Sequence, residues 1–197
     1  MRSAPNPTTR EKLLDAARAL FFSRGVEETS VAQICQTSGV SNGSLFHHFG
    51  SKEALALEIF LEVRRAYWIY VLDAMEACEQ VPDAAEASVR AAFAFQRENP
   101  EAFAFMLDTS AAPWVLRQTT ALRDLNAAFA DRALRWAAPH VMAGRLPALS
   151  VHTFGALIFG LPQWIAREAR AGLSVPDTER CIEELAGLMR RLFSAGT

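Results

Sequence analysis

Between Gly39 and Leu55 the chain reads GVSNGSLFHHFGSKEAL, and this stretch leaves it few ways to fold. Gly39 can take the positive φ that ends one helix and turns the chain away, and Gly50-Ser51 can stop the next. Ser41 and Ser51 stand where a hydroxyl caps the helix that follows, accepting from a free backbone N–H two or three residues on. The segment predicts a turn, a short helix, a second turn and a longer helix opening at Lys52-Glu53. Leu45 and Phe49 stand four apart and Phe46 three before Phe49, so one side of the short helix is apolar. Asn42, Gly43, Ser44, His47 and His48 fall on the other side, small or polar and without a carboxylate. A buried face behind a slim, acid-free outer face suits a helix that lies in a DNA major groove.

The residues upstream complete a motif. Ser30 and Gln33 form an S-x-x-Q capping box, and Val31, Ile34 and Cys35 supply the inner face of a short helix ending at Ser38. Helix, glycine turn, helix: residues from about Thr29 to Phe49 form a candidate helix-turn-helix. Thr8 and Glu11 form another capping box. They open a helix whose Leu13, Ala17, Leu20 and Phe21 recur at i, i+4, i+7 and i+8, with Gly25 at its end. Three such helices can enclose a small core with the third exposed.

The run ALFFSRGVEETSVAQICQTSGVSNGSLFHHFGSKEAL resembles the N-terminal domain of the tetracycline-repressor (TetR) family of one-component bacterial transcription regulators. The resemblance rests on LF-x-x-x-G in the first helix, Thr29-Ser30, Ile34, Gly39-Val40-Ser41, Gly43, Leu45, Phe46 to Phe49, and Ser51-Lys52-Glu53 with Leu55. The remaining chain resembles the family only in outline, by length and helical character. Phe46 stands where the family usually has Tyr, which removes a phosphate-binding hydroxyl, and Cys35 replaces the usual Ala. The resemblance implies a homodimer on a palindromic DNA operator, released by a small-molecule effector. The expected DNA-binding residues are Thr29, Ser30, Ser41, Asn42, Gly43, Ser44, Phe46, His47 and Lys52. Asn42 and Ser44 would offer hydrogen bonds to base edges or phosphates, and Gly43 would allow close approach. Lys52, Thr29 and Ser30 would hold phosphates at helix N-termini, and His47 would contact the backbone. The plainer alternative for Ser41 and Ser44 is ordinary capping, and for the two histidines an exposed surface.

Bulk composition is consistent with this. A chain of 197 residues, 51% of them apolar, can bury a proper core as one or two domains, and its alanine-rich stretches point to an all-α fold. The net charge of −2 argues against a general polyanion binder, yet residues 1–52 hold six basic residues, Arg2 among them, against four acidic ones. Cys35, Cys78 and Cys181 are scattered, without C-x-x-C spacing, so neither a disulfide framework nor a zinc site is expected. No apolar leader is visible and a cytoplasmic protein is expected. Leu146 to Ala166 lacks Asp, Glu, Lys and Arg, but Pro147, Ser150, His152, Pro162 and Gln163 interrupt it. A buried or subunit-facing helix is expected there rather than a membrane span.

About nine helices are expected, with no strand pattern or internal repeat. A long helix runs from Ser51 to about Cys78. The next is capped by Asp83 and runs to Asn99, Glu101 to Thr109 is short, and a long one ends near Pro139 or soon after. Helices from about Ser150 to Ala171 and from Pro176 to Ser194 close the chain. The expected domains are 1–50, which would bind DNA, and 51–197, which would bind ligand and dimerise. Ile182, Leu185, Met189 and Leu192 form a coiled-coil-like seam, and Gly155 and Gly160 lie in a charge-free helix that includes Ile158. The family pairs its last two helices across a dimer, so Gly155, Ile158, Ile182, Leu185, Met189 and Leu192 are the expected interface. The alternative is that both faces fill their own subunit's core. Trp68, Phe93, Phe103, Met106, Trp114, Phe129, Trp136 and Trp164 are candidates for an apolar effector pocket, although aromatic residues at helical spacing are more often plain core. His140, His152 and Gln163 are possible polar anchors. No catalytic motif, phosphate loop, cofactor or metal signature is present. A helical small-molecule binder that does not use its head on DNA is the alternative function.

Overall fold

The first four helices each begin on a hydroxyl that the sequence offers them. In the computed structural model, which describes residues 7–172 and 177–194, α1 is Thr9–Arg24 and α2 is Val31–Ser38. Helix α3 is Asn42–Phe49 and α4 is Lys52–Glu76. Both capping boxes close. Thr8 N–H donates to Glu11 Oε2 at 2.7 Å while Glu11 N–H donates to Thr8 Oγ1 at 3.2 Å, and Ser30 and Gln33 repeat the exchange at 2.8 and 3.2 Å. Ser41 Oγ accepts from Ser44 N–H at 3.3 Å and Ser51 Oγ from Ala54 N–H at 3.0 Å. Gly39, at φ 67° and ψ 20°, is the left-handed residue that ends α2.

The described residues up to Arg64 pack with Glu101–Thr119 as one unit, and Arg65–Pro100 with the residues from Thr120 onward as a second. In the first, Leu13, Ala17, Phe21, Ile34, Leu45, Leu55 and Ile59 are fully buried. Each such large side chain is worth roughly 1.5–3 kcal/mol relative to exposure. Leu14 and Ala16 are buried too, so the apolar stripe of α1 is broader than expected, and Leu20 is only half-buried. Arg18 donates to Glu62 at 2.9 and 3.1 Å and Arg10 pairs with Glu58, tying α1 to the start of α4. Helices α6 (Pro100–Thr109) and α7 (Pro113–Leu116) complete this unit. Phe105 of α6 stacks on Phe21 with ring centroids 6.3 Å apart and meets Phe22 at 5.3 Å. This grouping differs from the expected boundary at 50/51: it divides α4 near Arg64 and places residues 101–119 with the head.

The second unit contains the end of α4, α5 (Val81–Glu98) and α8 (Thr119–Met142). Helix α9 is built from Val151–Gly155, a π turn at Ala156–Gly160 and Leu161–Arg170, and α10 is Thr178–Ser194. Ala85, Val89 and Phe93 of α5 pack with Ile182, Ala186 and Met189 of α10, with Leu157, Ile165, Leu185 and Phe193 around them. Small alanines let the two helices approach, and Arg90 closes the edge with paired bonds to Glu183 at 2.7 and 2.9 Å. A second, aromatic cluster joins Trp68, Phe129, Phe159 and Tyr67, with centroid separations of 4.7, 5.3 and 5.4 Å along that chain.

The α5 start, the helical turn at 113–116 and the π turn in α9 differ from the sequence expectation, and ten helices rather than about nine stand among the described residues. Helix α5 starts on Gln80, not Asp83, because Pro82 occupies its first turn, where a missing N–H costs nothing. Residues 113–116 form a helical turn of their own ahead of α8. Helix α8 passes through Pro139 and ends when Arg145 and Leu146 N–H both bond back to the His140 carbonyl, at 2.9 and 3.2 Å. The π turn in α9 lies just before Pro162, which has no N–H for the carbonyl four residues back. Pro176, expected to open the last helix, and Arg2 lie outside the described residues. No helix among the described residues is long and apolar enough to cross a membrane.

Candidate nucleic-acid interface

Helix α3 turns only Leu45 fully inward, with Ser44 and Phe49 half-buried at the seam. Ser41, Asn42, Gly43, His47 and His48 are exposed. Phe46, grouped by spacing with the apolar side, instead leaves 48% of its surface exposed beside them. The outward surface therefore offers one hydroxyl, one carboxamide, two imidazoles and an aromatic ring, with no acid. A Cβ added to Gly43 would meet nothing within 4 Å, so its missing side chain serves no packing need within the subunit and leaves a flat place on the helix. The His47 and His48 rings stand edge to face at 5.4 Å. No group of three potential metal ligands occurs among the described residues.

Two expected contacts are corrected. Thr29 is fully buried, and its Oγ1 donates to the Gly25 carbonyl at 2.7 Å, so it locks the turn after α1 and presents nothing outward. Lys52 is half-buried with its ammonium donating to the carbonyls of Val26 and Thr29 at 2.7 and 3.0 Å. It ties α4 to the same turn, leaving one N–H of three for another partner. Ser30 stays exposed at the α2 N-terminus, but its hydroxyl is taken by the cap. Two of the four basic residues of α1 are similarly engaged: Arg18 bonds Asp15 as well as Glu62, and Arg10 also lies over the Phe49 ring at 5.3 Å. Sequence reasoning missed the Lys52, Arg18–Glu62 and Arg10–Glu58 engagements because those partners are remote in the chain, and the Thr29–Gly25 bond because it depends on how the turn after α1 folds. It also missed that Cys35 Sγ lies 3.6 Å from Asn42 Oδ1.

The effector candidates are dispersed. Phe103, Met106 and Trp114 are buried in the first unit, and Phe93 is spent on the α5–α10 core. Trp68 and Phe129 belong to the aromatic cluster, and Trp136 packs against His140 at 4.9 Å and Phe154 at 6.2 Å. Trp164 is 62% exposed and borders an open recess of about 220 Å³ with Ile165, Leu185 and Leu188. Desolvation and the nearby Arg145 lower the His140 pKa, Gln163 lies beside the buried Tyr67 phenol, and His152 is exposed. Among the described residues one apolar recess, about 320 Å³, lies at the end of α8 among Ala133, Leu134, Val141, Met142, Leu146 and Phe154. The interior beside it, under Trp136 and Met189, is nearly filled, with about 10 Å³ left.

Of the expected dimer residues, Ile158, Ile182 and Met189 are buried in their own subunit, and a Cβ on Gly155 would meet Phe129 at 3.9 Å. The seam reads correctly as apolar, but its deepest positions pack on α5. Leu185 is half-buried and Leu192 exposed, and Leu161, Trp164 and Leu188 join Leu192 on the open side.

Residues 13–59 match the family profile described as bacterial regulatory proteins, tetR family. Over 83 residues the chain is 39% identical to the HTH-type transcriptional regulator LmrA of Bacillus subtilis (strain 168), covering 42% of this chain and 44% of that protein. Over 50 residues it is 48% identical to the HTH-type transcriptional repressor KstR2 of Rhodococcus jostii (strain RHA1), covering 25% and 24%. The chain thus spans less than half the length of these relatives. Salmonella enterica GusR superposes with a TM-score of 0.68 over 98% of this chain and 96% of that one, at 22% identity, a likeness of fold.

Proposed function

Since this chain belongs, through its N-terminal domain, to the tetR family of bacterial regulatory proteins, we propose that it is a DNA-binding transcriptional repressor. It acts in the cytoplasm by binding rather than by turnover, as a homodimer on a near-palindromic operator. The observation that carries this is the outer side of α3: capped at Ser41, slim at Gly43, free of carboxylates and exposed from Asn42 to His48 apart from Leu45 and the half-buried Ser44. Such a helix enters a major groove with its N-terminal residues at the base edges. Ser41, Asn42, Gly43, Ser44, Phe46 and His47 make the contacts, and Ser30 and the α4 start orient the head against phosphates. Phe46, lacking a hydroxyl, offers apolar contact of the kind a thymine methyl accepts.

The dimer forms through Leu161, Trp164, Leu188 and Leu192, an apolar stripe on the last two helices that water would otherwise cover. A neutral, apolar effector enters the recess at the end of α8, whose volume is at the lower end of the range for small-molecule sites. Helix α4 is unbroken from Lys52 to Glu76, so an effector that prefers one orientation of it shifts the population of DNA-competent dimers. Mobility shift on the DNA upstream of the chain's own gene tests the core claim. Salt-dependent, sequence-selective retention is expected, and retention of every duplex alike, or of none, would overturn it. Sedimentation tests the dimer: Trp164→Ser with Leu192→Ser should give monomers, and an unchanged dimer would place the interface elsewhere.

A further inference from the structure

Cys35 is held rigidly at the junction of α2 and α3. Its carbonyl accepts from Gly39 N–H, from Val40 N–H at 3.2 Å and from Ser38 Oγ at 3.2 Å, which together close the turn. From that fixed point its thiol donates to Oδ1 of Asn42, at a sulfur–oxygen distance of 3.6 Å. Asn42 is the first residue of α3, exposed, and placed where a recognition helix reads base edges. A carboxamide has an accepting end and a donating end, and which end faces the groove decides what it can read. Reading adenine takes both ends at once, Oδ1 for the N6 amine and Nδ2 for N7. With Oδ1 turned back toward sulfur, the end left outward is the NH2. Guanine presents two adjacent acceptors, N7 and O6, to such a donor.

We infer that Cys35 is a positioning residue for DNA recognition: its thiol orients the Asn42 carboxamide with the NH2 outward, so that Asn42 reads guanine in preference to adenine. The inference rests on the DNA-binding function proposed above and adds a base to it. The partner is an acceptor edge in the major groove, and the contact recurs once in each half-site of a dimer.

Selection from randomised duplexes with the full chain tests it. Asn42→Ala first marks the position that depends on Asn42, which in the wild type should be guanine. Cys35→Ala should then lower the guanine-to-adenine ratio at that position alone by about threefold to tenfold, the range of one ordinary net hydrogen bond. In the Asn42→Ala background Cys35→Ala should add nothing, because coupled residues are not additive. The inference is overturned if the wild type takes adenine there, if Asn42→Ala alters no position, or if Cys35→Ala changes every position equally or none. The wild-type base identity decides without any Cys35 variant, should that variant unfold. If the wild type selects no sequence at all, the DNA-binding function falls and this orientation falls with it. A selective wild type indifferent to Cys35 removes only the orientation.

Discussion

The two units of this protein are ordered by different kinds of chemistry. Helices α1 to α4 each begin on a Thr or Ser hydroxyl three residues from its backbone partner, and α2 ends on a left-handed glycine. Helix α5, at the centre of the second unit's core, begins on Gln80, whose side chain bonds nothing there. It is held instead by packing and by Arg90 bonding a carboxylate 93 residues away. Where the determinants are local, the helix ends are visible in the residues themselves. Where they are remote, neither the ends nor the buried face can be read without the partner.

The largest expected effect probes the head's small core. Leu45→Ala removes a fully buried side chain and should cost about 2–5 kcal/mol of stability, measured by chemical unfolding, with loss of DNA retention. Gly43→Glu should separate function from folding in the same helix. Nothing lies within 4 Å of the added Cβ, so the thermal midpoint should hardly move. A carboxylate facing phosphates costs several kcal/mol, so affinity should fall at least about a hundredfold. Equal losses of stability in the two variants would show that the outer side of α3 is packing surface after all.

Capping gives a direct contrast between the units. Ser30→Ala should destabilise by about 1 kcal/mol, whereas Gln80→Ala, at the equivalent place on α5, should stay within about 0.5 kcal/mol. A matching loss at Gln80 would erase the distinction. The smallest effect concerns Glu11. Its carboxylate accepts from the Thr8 backbone N–H and hydroxyl, which holds its pKa below the usual carboxylate range. A lowered pKa stabilises the fold above the ordinary range, and that stabilisation disappears as the pH falls through the lowered value. Glu11→Gln keeps the box geometry, so its midpoint should fall slightly short of wild type at neutral pH and converge with it in acid. Parallel curves across the whole range would remove the linkage.

Much of the head was legible: both capping boxes, the glycine ends, the buried Leu13, Ile34 and Leu45, and the exposed side from Asn42 to His48. The misplacements share one cause. Thr29 and Lys52 carry groups suited to phosphate, but each found a partner in the turn after α1, at Gly25 for Thr29 and at Val26 and Thr29 for Lys52. Ile182 and Met189 carry a correct apolar spacing, which says that a face is covered and not by what. The docking of α6 through Phe105 on Phe21 and Phe22 had no local signal, since aromatic residues suit any core.

By itself the sequence determined the helical class, the helix-turn-helix and the slim outer side of α3, because caps, left-handed glycines and short apolar periods act within a few residues. Only the tertiary structure decided which hydroxyls and ammoniums remain available for DNA, which side of α10 stays open, and where the body keeps an apolar recess. Most of those depend on groups brought from tens of residues away, as Val26 and Thr29 are for Lys52, and even the short bond from Thr29 to Gly25 forms only once the turn after α1 has folded.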